Sequence, residues 1–152
     1  FSWYDIYEDP GPGVQRSRTA LMELLDARRD MGFPSGKTFQ FGFSQGCLMT
    51  LEMAMRYPYK LAGCIGISGY IHEPNIALKE LSPVAKEQET LFTYGTFDPI
   101  IPAVKVKGQL HQLTTEGDLQ VEAHEFAKEH TIAGTEELSL IRDFIRLRGP
   151  AA

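Results

Sequence analysis

Apolar residues recur along this chain at two spacings, one helical and one extended, and the switches between them predict its elements. Over residues 14 to about 29, Leu21, Leu24, Leu25 and Arg28 share one face at helical spacing, and Gly32 with Pro34 beyond it closes the segment. Ahead of that helix, Glu-Asp-Pro-Gly-Pro-Gly at residues 8–13 reads as a turn-forming loop. Residues 37–43 are short and aromatic between Ser35-Gly36 and Gly42, which predicts a strand. Cys47, Leu48, Leu51, Ala54 and Met55 then return every three or four positions until Pro58 stops a second helix. Residues 61–67 form a continuous apolar run without alternation, the pattern of a strand covered on both faces. Residues 73–88 are mixed and predict a loop with a helical turn, and residues 90–94 predict a further buried strand ended by Gly95. Pro102 is placed to open a helix with Val104, Leu110 and Leu113 inward, and Gly117-Asp118 turns the chain into a final strand at residues 119–126. From Thr135 onward Leu138, Ile141, Phe144, Ile145 and Leu147 make an apolar face. Glu136 and Glu137 at its start and Arg142, Arg146 and Arg148 near its end suit the helix dipole.

Helices and strands thus alternate, the order expected of a parallel sheet flanked by helices. Leu, Ile, Val and Phe make up about a quarter of the 152 residues, enough for one core without a metal or disulfide. A net charge of −5, with no run of Lys or Arg, argues against nucleic acid as a partner. No apolar stretch approaches the roughly 20 residues that span a bilayer. Cys47 and Cys64 lie inside apolar segments and read as buried thiols, which suits a reducing, cytoplasmic compartment. The opening Phe1-Ser2-Trp3-Tyr4-Asp5 has neither the basic nor the apolar region of a signal peptide.

The sharpest chemical signal is Gly42-Phe43-Ser44-Gln45-Gly46, a G-x-S-x-G pattern at a predicted strand-to-helix junction. A serine hydroxyl is a weak nucleophile, so it needs an imidazole base and a carboxylate that holds the imidazole in the right tautomer. Of four histidines, His72 precedes any late acid, His111 lies mid-helix and His124 lies inside the last strand. His130 is left, in the loop after that strand, where parallel sheets place functional groups. Asp98 follows the strand at residues 90–94 in a similar loop, whereas Asp118 sits in a turn at the opposite end of the sheet. The chain order Ser44, Asp98, His130 is that of α/β-hydrolases. The histidines and cysteines show no metal-ligand spacing, and no cofactor is expected.

Ser2-Trp3-Tyr4-Asp5-Ile6, Gly42-Phe43-Ser44-Gln45-Gly46, residues 95–102 (Gly-Thr-Phe-Asp-Pro-Ile-Ile-Pro) and His130-Thr131-Ile132 together resemble the phospholipase/carboxylesterase family of α/β-hydrolases, which includes acyl-protein thioesterases. The resemblance implies one domain over residues 1–152 with a three-layer fold, a mostly parallel sheet flanked by helices. It also implies that this domain is N-terminally incomplete, because family members begin with further strands and a His-Gly-type loop that donates an oxyanion-hole N–H. It makes Ser44 the nucleophile, His130 the base, Asp98 its orienting partner and the Gln45 backbone N–H an oxyanion donor. Tyr70, Ile100 and Ile101 are candidates to line an acyl groove, though packing explains each as well. Cys47 stands where the family commonly has glycine and reads as a packing residue. Two functions follow as alternatives: a metal-independent serine hydrolase acting on small esters, lysophospholipids or acyl-proteins, or a non-catalytic hydrolase-like fragment that binds a partner. A dienelactone-type hydrolase is disfavoured, because its nucleophile would be Cys where Ser44 stands.

Overall fold

The computed structural model describes residues 2–149, so Phe1 and residues 150–152 of the expected domain lie outside them. In chain order the main elements are α1 (Pro10–Asp30), β1 (Phe39–Phe43), α2 (Gln45–Arg56), β2 (Gly63–Ile67), α3 (Pro74–Ala77), β3 (Thr90–Gly95), α4 (Ala103–Thr115), β4 (Val121–Phe126) and α5 (Thr135–Arg148). The strands form one sheet in the order β1-β2-β3-β4, parallel throughout, with Phe43 level with Ile67 and Gly95 level with Phe126. Parallel neighbours need a crossover, and each crossover here carries a helix.

Alternation along β2 separates the layers. Cys64 joins Val14, Leu21 and Leu25 of α1 and Leu48, Met49 and Met53 of α2 in one cluster. Ile65 and Ile67 point the other way, onto Ile141 and Phe144 of α5. On β3, Phe92 meets Leu51 and Met55 of α2 and Val106, Leu110 and Leu113 of α4, while Leu91 joins the α5 side. The result is a three-layer α/β fold, with the unalternating β2 run buried at every position.

Some boundaries and faces differ from the sequence reading. Helix α1 starts at Pro10, inside the segment expected to be a loop. Asp9 caps it by accepting the Gly11 N–H at 3.0 Å, and proline is tolerated in a first turn because its missing N–H would have had no helical partner. Val106 rather than Val104 turns inward on α4, since the inward row is Val106, Leu110 and Leu113. Leu24, Leu138, Ile145 and Leu147 are exposed, so the buried stripes are narrower than the apolar pattern suggests. Among the described residues no helix is long and apolar enough to cross a membrane.

Candidate active site

The carboxyl ends of β1, β3 and β4 carry the loops that matter. At the end of β1 the chain turns sharply into α2 through Ser44, whose φ of 56° and ψ of −115° lie where few non-glycine residues go. Holding such a residue costs about 1–3 kcal/mol, and the surroundings offset it. The Ser44 N–H donates to the Ile67 carbonyl of β2 at 2.9 Å, and its own carbonyl accepts from the Leu48 N–H of α2 at 3.2 Å. Gly42 makes the turn sterically possible: a Cβ there would lie 2.0 Å from the Gly46 carbonyl oxygen. Gly46 is less constrained, with the Trp3 ring at ordinary contact distance, so only the first glycine of the pentapeptide is demanded by its surroundings.

Ser44 occupies the N-cap of α2 without using its hydroxyl as a cap. The Ser44 Oγ instead lies 3.0 Å from His130 Nε2, and His130 Nδ1 lies 2.7 Å from Asp98 Oδ2. The other Asp98 oxygen accepts the N–H groups of Ile100 and Ile101 at 2.8 and 2.9 Å. Burial pushes the Asp98 carboxyl upward. Hydrogen bonds from the His130 ring and the two amides outweigh that and hold it below the usual aspartate value. An ionised carboxylate only accepts, so Nδ1 must carry the proton toward Asp98, leaving Nε2 of a neutral ring to accept from the Ser44 hydroxyl. The Phe43 ring packs against the imidazole with centroids 4.9 Å apart.

The loops that carry Asp98 and His130 are tied together below these side chains. Thr96 N–H donates to the Phe126 carbonyl at 2.9 Å and Phe97 N–H to the Lys128 carbonyl at 3.1 Å. Gly95 permits that approach, since a Cβ there would meet the Lys128 carbonyl at 2.3 Å.

Beside Ser44 opens a cavity of about 310 Å³, walled by Tyr4, Ile6, Tyr70, Ile100, Ile101 and Lys105. The three groove candidates therefore share one cavity with Ser44, Ile101 buried and Ile100 exposed at its rim. Tyr4 and Tyr70 bring their hydroxyls to 3.4 Å, and the Lys105 ammonium sits 4.2 Å over the Tyr70 ring. Burial and the Tyr70 hydroxyl push the Tyr4 phenol well above its ordinary value, so it stays protonated. Gln45 begins α2, where a backbone N–H has no acceptor within its own helix. Its side chain does something the pentapeptide alone does not reveal. Oε1 accepts the Trp3 N–H at 3.1 Å and Nε2 donates to the Tyr4 carbonyl at 3.0 Å, clamping the opening segment that supplies the cavity wall.

The other candidates lie elsewhere. His111 is exposed on α4, and His124 pairs with Glu122 at 2.9 Å. Asp118 is an exposed turn residue with φ of 53°, 3.5 Å from Lys86. His72 borders a second cavity, also about 310 Å³, where Arg18 and Arg56 meet the buried Glu52 carboxylate. Cys47 is fully buried and burial pushes its thiol up, so it is a protonated packing group. Among the described residues no group of three or more His, Cys, Asp or Glu could hold a metal ion.

A family model described as phospholipase/carboxylesterase matches residues 1–148. The chain belongs to the phospholipase/carboxylesterase family of α/β-hydrolases. One relative, acyl-protein thioesterase 1 of Schizosaccharomyces pombe, is 44% identical over 110 residues, which make up 68% of this chain and 49% of the relative. Acyl-protein thioesterase 1 of Neurospora crassa is 28% identical over 162 aligned positions, covering 97% of this chain and 65% of the relative. The chain spans about half the length of several of the curated relatives it matches. Among solved structures, Arabidopsis thaliana SOBER1 superposes with a TM-score of 0.86 at 25% identity, covering 97% of this chain and 73% of that one. Esterase PE8 superposes at 0.79 with 26% identity, covering 95% and 67%.

Proposed function

We propose that this chain is a serine hydrolase, acting as a single domain, that cleaves carboxylic esters or thioesters through an acyl-enzyme. The observation that carries the reading is the continuous relay from Asp98 through His130 to Ser44, at 2.7 and 3.0 Å, beside an open cavity. In this mechanism Ser44 Oγ attacks the substrate carbonyl carbon while its proton passes to His130 Nε2. Asp98 stabilises the imidazolium that forms, and the Gln45 N–H donates to the oxyanion. Collapse of the tetrahedral intermediate breaks the ester or thioester bond, and His130 gives its proton to the departing alcohol or thiol. Water then attacks the acyl-Ser44 carbonyl, losing a proton to His130, and the second collapse releases the acid and returns that proton to Ser44. The net reaction consumes one water and needs no cofactor.

The relatives named acyl-protein thioesterases favour acylated proteins, alongside lysophospholipids and small esters, as the substrate class. The largely apolar wall of Tyr4, Ile6, Tyr70, Ile100 and Ile101 suits an acyl chain. Cys47 and Cys64 are buried and free, which fits a cytoplasmic location. Turnover of p-nitrophenyl esters and of a palmitoyl thioester by the wild type and by Ser44→Ala tests the reading. Loss of turnover in a folded variant supports it, and equal turnover in both refutes it. A folded wild type that turns over neither substrate favours a binding fragment.

A further inference from the structure

Beneath the site lies a charged cluster that the proposed mechanism does not use. Glu137, in the first turn of α5, is fully buried, and the Lys128 side chain is 2% exposed. Glu137 Oε1 accepts the Lys128 ammonium at 2.6 Å and the Thr93 hydroxyl of β3 at 2.5 Å. Glu137 Oε2 accepts the Ala133 N–H at 2.5 Å. One carboxylate therefore grips both ends of residues 128–133, the segment that carries His130, and fastens them to the middle of the sheet. Lys128 is engaged a second time, since its backbone carbonyl accepts the Phe97 N–H from the loop of Asp98 at 3.1 Å.

A buried ion pair is a poor device for stability alone, because desolvating two charges offsets much of their attraction and apolar residues of similar volume often do as well. Apolar residues could not hold both the Ala133 N–H and the Lys128 side chain at fixed points. That grip sets where the loop stands relative to Ser44 and Asp98. We propose that Glu137 and Lys128 are positioning residues for His130, holding the imidazole in register between Ser44 and Asp98 without touching substrate. The proposal rests on His130 being the base.

The test compares the wild type with the double variant Lys128→Met/Glu137→Leu, which removes both charges and leaves neither unpaired. The expected result is a folded variant whose thermal midpoint falls by about 5–10 °C, because the Thr93 hydroxyl and the Ala133 N–H lose their acceptor, with kcat for p-nitrophenyl acetate reduced about 10²-fold and KM changed less than about twofold, because the cavity walls come from other segments. The low-field imidazole proton shared by His130 and Asp98 should broaden or vanish in proton NMR. An unchanged kcat and an unchanged low-field proton in the folded double variant would overturn the proposal. So would a kcat loss that only follows a lowered thermal midpoint while the proton resonance stays intact. Amide exchange in the wild type gives a measurement that needs no variant to fold. The Ala133 N–H should be protected like the β3 amides, and exchange as fast as that of the exposed Ile132 overturns the clamp. If the folded wild type lacks turnover, the hydrolase reading fails, and the proton and exchange measurements still decide whether the clamp holds His130.

Discussion

Replacing Asp98 with Asn separates the orienting role proposed for this residue from the shape of the site. The amide is nearly isosteric, and its oxygen can keep the two hydrogen bonds from the Ile100 and Ile101 amides at 2.8 and 2.9 Å. Its NH₂ then faces His130 Nδ1 across the 2.7 Å contact and donates where the carboxylate accepted. The ring must move its proton to Nε2, which becomes a donor toward Ser44 Oγ and can no longer take the serine proton. A wrong tautomer in an otherwise intact triad lowers kcat by about 10⁴, equivalent to about 5.4 kcal/mol in the barrier. The pH dependence has a definite sign as well. Because the folded carboxyl sits below its ordinary value, ionised Asp98 contributes stability at neutral pH that is lost as pH falls through its folded pKa. Asp98→Asn should therefore be less stable than the wild type at pH 7, with the gap closing in acid. Ester turnover near pH 8 and urea titrations at neutral and acidic pH measure both effects. A variant that folds and keeps kcat within about tenfold of the wild type would refute the assignment of Asp98.

Other perturbations probe the scaffold. Gly42→Ala puts a Cβ 2.0 Å from the Gly46 carbonyl oxygen, so the turn must distort and the thermal midpoint and turnover should fall together. Glu52→Ala removes the carboxylate that Arg18 and Arg56 share, but Arg56 keeps its pair with Glu80 at 3.0 Å and Arg18 reaches solvent, so the fold should lose about 1–3 kcal/mol in urea unfolding. Gln45→Ala keeps the backbone N–H but removes both hydrogen bonds to the Trp3–Tyr4 backbone. About 1 kcal/mol for each bond should appear mainly as a raised KM, with kcat within about tenfold of the wild type.

Much of this architecture was legible because local signals and tertiary demands agree. The apolar run of β2 could only be a doubly covered strand, and it lies between α2 and α5. Ser44, Asp98 and His130 could be singled out because functional groups on a parallel sheet gather at the carboxyl ends of its strands. The start of α1 was misread because Pro and Gly signal turns, while a helix's first turn accepts both when a residue such as Asp9 caps it. Val104 was misassigned because an apolar residue beside Pro102 looks like the start of the inward row, which geometry shifts to Val106. The Gln45 clamp reaches across 42 residues of sequence, so nothing local announces it. Lys128 and Glu137 look like ordinary surface charges until the fold buries them against each other.

Intact mass after treatment with a fluorophosphonate, on the wild type beside Ser44→Ala, tests the central claim most directly, because the reagent reports nucleophile activation without requiring the right substrate. The account predicts one adduct on the wild type, mapping to Ser44, and none on the variant. A folded wild type that stays unmodified, or a variant modified at the same rate, would contradict it.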